Sequence, residues 1–186
     1  MTALYVVLAV IAVVVFWLIA LYNGLVKLNN RAKEGWSDID VQLKRRHDLI
    51  PNLINSVKGY LTHERELLEN ITKARAGAMS AQESGNKAEL GKLENQLSGL
   101  LGKLQIAVEA YPDLKANQNI AQLMDELSDT ENKIQASRRF YNGLVRDFNT
   151  KMETFPNNVF AGMLKFTKYE FFEAEEIEKG NVEVKL

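Results

Sequence analysis

The pattern of hydrophobic and polar positions divides the chain near residue 26. Leu4 to Tyr22 carries no charged side chain. As a helix it would measure roughly 28 Å, close to the hydrocarbon thickness of a bilayer. A cleavable signal peptide would have a basic start and a short apolar core, and a buried core helix would need apolar surroundings on every side. The pattern therefore favours a transmembrane helix, with Trp17 and Tyr22 at its interfacial end.

The flanking charges predict the orientation of this helix. No basic residue precedes Leu4, whereas six follow it closely, namely Lys27, Arg31, Lys33, Lys44, Arg45 and Arg46. The positive-inside rule then places the N-terminus outside and the body of the protein in the cytoplasm. A periplasmic or external body is the alternative, because the rule weakens before a long domain.

Beyond the membrane segment, apolar residues recur every three or four positions, as in packed amphipathic helices. The first such stripe runs from Leu25 to Leu61 and predicts a helix continuous with the transmembrane one, kinked near Pro51 and ending near Gly59. Further helices are predicted over about 62–79, 88–111 and 114–154, with a polar turn at 80–86. The helix over 88–111 repeats leucines at heptad-like spacing, which favours coiled-coil packing.

No segment alternates with a period of two, so no sheet is predicted. The fold class is all-α: an N-terminal transmembrane helix running into an antiparallel bundle of about four long helices. The chain divides into an anchor at 1–26, a bundle at 27–155 and an aromatic, acidic C-terminal segment at 156–186. This last segment either folds back and plugs the end of the bundle or docks to another subunit, a partner protein or the membrane. The residues concerned are Phe155, Phe160, Phe166, Tyr169, Phe171 and Phe172.

Net charge and the absence of cysteine exclude several classes of function. A net charge of −1 offers no field to attract nucleic acid, and the absence of cysteine removes disulfides and thiolate nucleophiles. Residues 27–46 form a basic collar of six basic and three acidic side chains, suited to anionic lipid. Residues 170–186 form an acidic tail with six glutamates and two lysines.

The pentapeptide Tyr22–Val26 recurs as Tyr141–Val145. Glycine inside a helix costs about 1 kcal/mol relative to alanine, so something must compensate for Gly24 and Gly143. The favoured interpretation is that both glycines lie on faces where helices approach closely.

One polar constellation could carry chemistry. On a helix, Asp40, Lys44, His47 and Asp48 share one face, and a histidine beside a carboxylate can act as a general base. The favoured interpretation is a salt-bridge lattice beside Ser137–Arg139 of a facing helix. The second histidine, His63, lacks the ligand spacing of a metal site, so no metal, cofactor or enzymatic activity is predicted.

Several stretches together resemble the LemA family of bacterial membrane proteins: Tyr22–Val26, Arg31–Leu53, Tyr111–Asn117, Ser137–Asn142, Phe155–Gly162 and Tyr169–Phe172. The resemblance covers nearly the whole chain. It implies a single-pass protein of the bacterial inner membrane with a helical bundle and no agreed reaction. Family members often accompany membrane proteases or other envelope proteins, so the resemblance also implies a scaffold or adaptor role.

Three functions follow for testing. The first is a membrane-anchored interaction protein that forms homo-oligomers. The second is an adaptor for a membrane protease or another envelope machine, and the third is a hydrolase using His47 with Asp40 or Asp48. The predicted interaction residues are Trp36, Arg45, Arg46 and His47, together with the six C-terminal aromatic residues.

Overall fold

A computed structural model describes residues 1–172 of the chain. Within that range the structure contains helices and no strand, which confirms the all-α prediction. The helices are α1 (Thr2–Val57), α2 (Arg65–Glu83), α3 (Lys87–Glu109), α4 (Pro112–Lys115), α5 (Gln118–Glu153) and α6 (Asn157–Ala161).

Helix α1 joins the apolar run to the amphipathic stripe without a break, as predicted. An 18-residue window near its N-terminus has a mean hydropathy of 3.1, and only 6% of that window is buried inside the molecule. A core helix would be mostly buried, so the exposure of this window favours a membrane-spanning segment. Pro51 lies inside α1 and does not end it.

Two predicted boundaries were wrong. Helix α2 begins at Arg65 and continues to Glu83, so the turn at 80–86 shrinks to three residues around Gly85, whose φ of +72° suits glycine. The predicted fourth helix does not start at Leu114. Pro112 instead opens the one-turn helix α4, and the side chain of Asn117 then accepts hydrogen bonds from the backbone amides of Asn119 and Ile120. This capping starts α5.

The described residues divide into two compact units. The second unit comprises Asp38–Arg138 and continues from Phe172. In it the C-terminal part of α1, helices α2 and α3 and the first part of α5 enclose one apolar core built from residues such as Ile50, Leu53, Ile71, Leu97, Leu104 and Leu127. Hydrogen bonds from Gln82 to Asp40 and from Arg75 to His47 show that α2 runs antiparallel to α1.

The first unit comprises Met1–Ser37 and Arg139–Phe171. Here α1 and α5 form a helix pair, with Leu25 and Phe148 buried between them. A Cβ atom added at Gly35 would lie 2.8 Å from Leu144 Cδ1, so Gly35 is a point of close approach. Gly24 and Gly143, by contrast, face open space, and the packing interpretation of the repeated pentapeptide was wrong.

Candidate functional site

Arg46 and His47 lie side by side in the core of the second unit, and both are buried. Each meets the carboxylate of Glu94, which α3 carries into the same interior. The Nε2 atom of His47 lies 2.8 Å from Glu94 Oε1, and the guanidinium of Arg46 donates to Glu94 Oε2. Glu94 thus binds two neighbouring side chains of α1.

The remaining helices of the second unit close this group. The guanidinium of Arg46 also donates to Glu131 of α5 and, at 2.8 Å, to the Ser98 hydroxyl of α3. Ser98 in turn donates to Glu131 at 2.9 Å. From α2, Arg75 Nε donates to the backbone oxygen of His47 at 2.7 Å. We call Arg46, His47, Glu94, Ser98 and Glu131 the polar cluster.

The electrostatics of the polar cluster favour an ionised Glu94. Burial by itself would raise the pKa of Glu94, but the hydrogen bond with His47 and the positive charge of Arg46 outweigh it and lower the pKa below its ordinary value of 4.5. Arg46 and Glu94 therefore form a buried ion pair, with hydrogen bonds to most of their polar atoms.

The predicted dyad of His47 with Asp40 or Asp48 was wrong. Asp40 accepts a hydrogen bond from Gln82 at 3.2 Å, and Asp48 is exposed on α1 while His47 points inward. His47 already has its carboxylate in Glu94, inside the core. A cavity of about 170 Å³ reaches the polar cluster at Ser98 and Glu131, and His47 does not line it.

The salt-bridge lattice predicted beside Ser137–Arg139 stays a prediction, although two arginines of these stretches also have other partners. Arg45 is exposed and pairs with Asp129 at 3.7 Å, and Arg138 donates to Asn95 at 2.9 Å. Sequence reasoning missed Glu94 altogether. One signal could have found it: Glu94 occupies a core position of the α3 stripe between Leu90 and Leu97, where a charge requires a buried partner.

Among residues 1–172, no group of three or more histidine, cysteine or acidic side chains is arranged to hold a metal ion.

A second set of predicted residues meets in the first unit. The rings of Trp36 and Tyr141 contact edge to face at a centroid distance of 5.3 Å. The Tyr141 hydroxyl donates to the backbone oxygen of Glu170 at 3.1 Å. Burial, together with the nearby Tyr169 and Glu170, raises the pKa of Tyr141 to about 12, so the phenol stays protonated and remains a donor.

The aromatic segment, residues 155–172, returns along this helix pair. Asn149 of α5 holds the backbone of Tyr169 on both sides, donating to its oxygen at 2.9 Å and accepting from its nitrogen at 3.1 Å. The Tyr169 hydroxyl donates to Asn29 of α1 at 2.9 Å. Phe166 and Tyr169 both pack against Phe148.

The structure therefore shows the aromatic segment folding back, as one of the two predictions stated. Its contacts lie along α1 and α5, whereas the prediction had it plug the end of the bundle. Phe160 meets Trp17 edge to face, and Phe172, in the second unit, lies beneath the Arg138 guanidinium at 4.8 Å. Phe155 and Phe171 remain exposed. Most of the predicted acidic tail, residues 173–186, lies outside the described residues.

Comparison with known proteins supports the resemblance. The model of the LemA family matches residues 35–186. The chain belongs to the LemA family. It is 32% identical over 161 residues to Protein LemA of Metamycoplasma hominis, covering 87% of this chain and 73% of that protein.

More distant relatives carry a different name. Magnetosome protein MamQ 2 of Paramagnetospirillum magneticum is 23% identical over 192 residues, which covers 90% of this chain and 71% of that protein. Magnetosome protein MamQ of Magnetospirillum gryphiswaldense is 22% identical over 174 residues, covering 81% of this chain and 64% of that protein. Together with the exposed apolar helix, these relatives fit a membrane-associated helical protein.

Proposed function

We propose that this member of the LemA family is a membrane-anchored helical scaffold that acts by binding protein, first of all further copies of itself, and catalyses no reaction. Residues 4–22 anchor it in the bacterial inner membrane, with the helical body in the cytoplasm. The six basic residues that follow the anchor and precede His47 support this orientation.

The observation that carries the proposal is that charged side chains in the second unit bind one another across helices. The polar cluster ties α1, α3 and α5 together from inside, and its His47 and Glu94 are both buried. The buried pair of His47 and Glu94 is used to hold helices together, which supports a structural role for these charges. Helices held together in this way suit a binding protein.

Exposed aromatic residues supply a candidate contact face. Phe140 and Phe171 adjoin Tyr141 and Glu170, whose hydrogen bond fixes all four at one level of the first unit. The side chains of Phe140 and Phe171 are each 51% exposed. Phenylalanine is enriched in the cores of protein interfaces, so two half-exposed rings at one level make this face a candidate contact.

A second copy is the partner that the anchor favours. Chains inserted through one helix share a common orientation in the membrane, so the same faces meet repeatedly and a cyclic assembly can close. Confinement to a membrane also raises the effective concentration of neighbouring copies.

The test is the mass of the full-length chain in a mild detergent, measured by light scattering. We expect the natural chain to form a defined assembly and the double variant Phe140→Asp, Phe171→Asp to fall toward the monomer. The matched control is Ile106→Asp, since Ile106 is an exposed apolar residue of the second unit. Circular dichroism verifies that every variant keeps its helices.

A monodisperse monomer of the natural chain would refute self-assembly. The proposal would then give way to the adaptor function, in which the exposed aromatic residues and the acidic tail bind a membrane protease or another envelope protein. Equal loss of mass in the Ile106→Asp control would mean that the contact face was assigned wrongly.

A further inference from the structure

Part of the aromatic segment lies against the membrane-spanning helix itself. Within the first unit, Phe160, Met163 and Leu164 line a groove of about 440 Å³ together with Leu18, Ile19 and Tyr22. The last three residues belong to the final turns of the apolar run. The segment around α6 is thus placed at the level where the bilayer core meets the headgroups.

The outer side of this segment is apolar and uncovered. Helix α6 turns Asn157 and Ala161 inward, whereas Val159 and Met163, four residues apart, point outward and are 55% and 78% exposed. Phe155 and Leu164 are exposed as well. These four exposed apolar side chains lie within ten residues, and we call them the apolar patch; such clustering is typical of an interaction surface.

The chain around the patch has the features of an interfacial element. Trp17 and Tyr22 of α1 meet Phe160 and Phe166 at ring-centroid distances of 6.0 and 6.2 Å, which makes an aromatic group at the headgroup level. At Lys165 the backbone enters the left-handed region with a φ of 60°, and the chain then turns back toward Tyr169. Residues 151–168 carry three lysines and one glutamate, a net positive charge beside anionic headgroups.

We propose that residues 155–164 are a second membrane contact of this chain, lying in the bilayer interface with Phe155, Val159, Met163 and Leu164 between the lipid headgroups and the acyl chains. The bilayer is the occupant because Met163 and Leu164 line one apolar groove with Leu18, Ile19 and Tyr22, so this end of the patch adjoins the exposed surface of the apolar run. A short apolar element held flat beside a transmembrane helix fixes the tilt and rotation of that helix. The inference rests on the proposed anchor at residues 4–22 and not on self-assembly.

The chain contains no cysteine, so single cysteines can be introduced for spin labelling without altering any natural one. The full-length variants Val159→Cys and Met163→Cys are labelled and reconstituted into vesicles of phosphatidylethanolamine and phosphatidylglycerol. Collision rates with oxygen, which concentrates in the bilayer, and with a water-soluble nickel chelate then report the environment of each label.

Two control labels give the reference values for a lipid and for an aqueous environment. Phe16→Cys places a label on an exposed side chain of the apolar run, and Ile106→Cys places one on a comparably exposed side chain of the second unit. We expect the oxygen-to-nickel ratio at 159 and 163 to shift away from the value at 106 and toward the value at 16.

Ratios at 159 and 163 equal to the ratio at 106 would overturn the inference while leaving the anchor intact. Spin–spin broadening between labels at 163, removed by dilution with unlabelled protein, would also overturn it, because a second copy would then cover the patch. An aqueous ratio at 16 would refute the anchor itself, and the two failures are thereby distinguished.

Discussion

Glu94 meets both Arg46 and His47 inside the core of the second unit, so a change of its charge affects two helices at once. The variant Glu94→Gln keeps the shape but leaves the charge of Arg46 only partly compensated. We expect it to lower the free energy of unfolding by about 3 kcal/mol. For a chain of this size the melting temperature would fall by about 6–12 °C, measurable by circular dichroism in detergent.

Glu109→Gln is the control for this change, since Glu109 ends the same helix and is exposed. We expect it to melt like the natural chain. Equal melting temperatures for the Glu94 and Glu109 variants would show that the polar cluster contributes no net stability.

The same carboxylate predicts a dependence on pH. Because the folded state lowers the pKa of Glu94 below 4.5, the unfolded chain takes up the proton first as the solution is acidified. The contribution of Glu94 is therefore complete above the unfolded value and is lost as the pH falls through the folded value. We expect the melting temperature of the natural chain to drop below about pH 4.5 more steeply than that of Glu94→Gln.

The glycines give a second prediction at the scale of single residues. Gly143→Ala adds a Cβ atom in open space and improves helix propensity, so it should stabilise the chain by up to about 1 kcal/mol. Gly35→Ala would press against Leu144 and should destabilise it by about 1–3 kcal/mol. Thermal melting separates the two, and a destabilised Gly143→Ala variant would contradict the open position.

At the scale of elements, the aromatic segment is held by few polar contacts, of which the pair made by Asn149 is central. Asn149→Ala removes both hydrogen bonds to Tyr169, at a cost of about 1–2 kcal/mol. Because that free energy corresponds to roughly a tenfold change in an opening equilibrium, we expect trypsin to cut at Lys165 and Lys168 about tenfold faster.

Asn158→Ala is the matched control, since Asn158 is an exposed asparagine of α6. Mass spectrometry of the early fragments identifies the cleavage sites. Unchanged cleavage in Asn149→Ala would mean that ring packing against Phe148 alone holds the segment.

The helices themselves were largely predictable, because apolar stripes of period 3.6 mark them whatever their partners. Their ends were less so. The sequence predicts one helix that starts near Leu114, between Pro112 and Asn117. In the structure the side chain of Asn117 accepts hydrogen bonds from two backbone amides, and α5 begins there as a separate helix. Coiled-coil packing of the heptad-like α3 stays a prediction.

At the scale of the whole molecule, the orientation in the membrane remains to be tested. If the body lies in the cytoplasm, a cysteine at Ile106 should react with a membrane-impermeant maleimide only after the cells are broken open. A cysteine at Thr2 should react in spheroplasts, where the outer face of the membrane is accessible. The reverse pattern would place the body outside and show that the collar of residues 27–46 does not control insertion.

The division into anchor, bundle and C-terminal segment also stays a prediction at this scale. The two compact units group residues by their contacts, and α1 and α5 each contribute to both units. The predicted segments follow composition along the chain, whereas the units group residues that contact one another. The boundaries of the units therefore do not test the boundaries of the segments.

The sequence by itself determined the apolar helix long enough to span a membrane, the all-α class and the family, since each depends on local periodicity or on motifs that follow in order along the chain. Only the tertiary structure decided which charges meet. His47 lies close in sequence to Asp40 and Asp48 but bonds to Glu94, 47 residues away on another helix. The same holds for the aromatic segment, whose place beside Trp17, Phe148 and Asn149 results from the return of the chain after α5. Long-range pairing of this kind depends on which helix faces pack together. Local periodicity marks an apolar face but does not identify the helix that covers it.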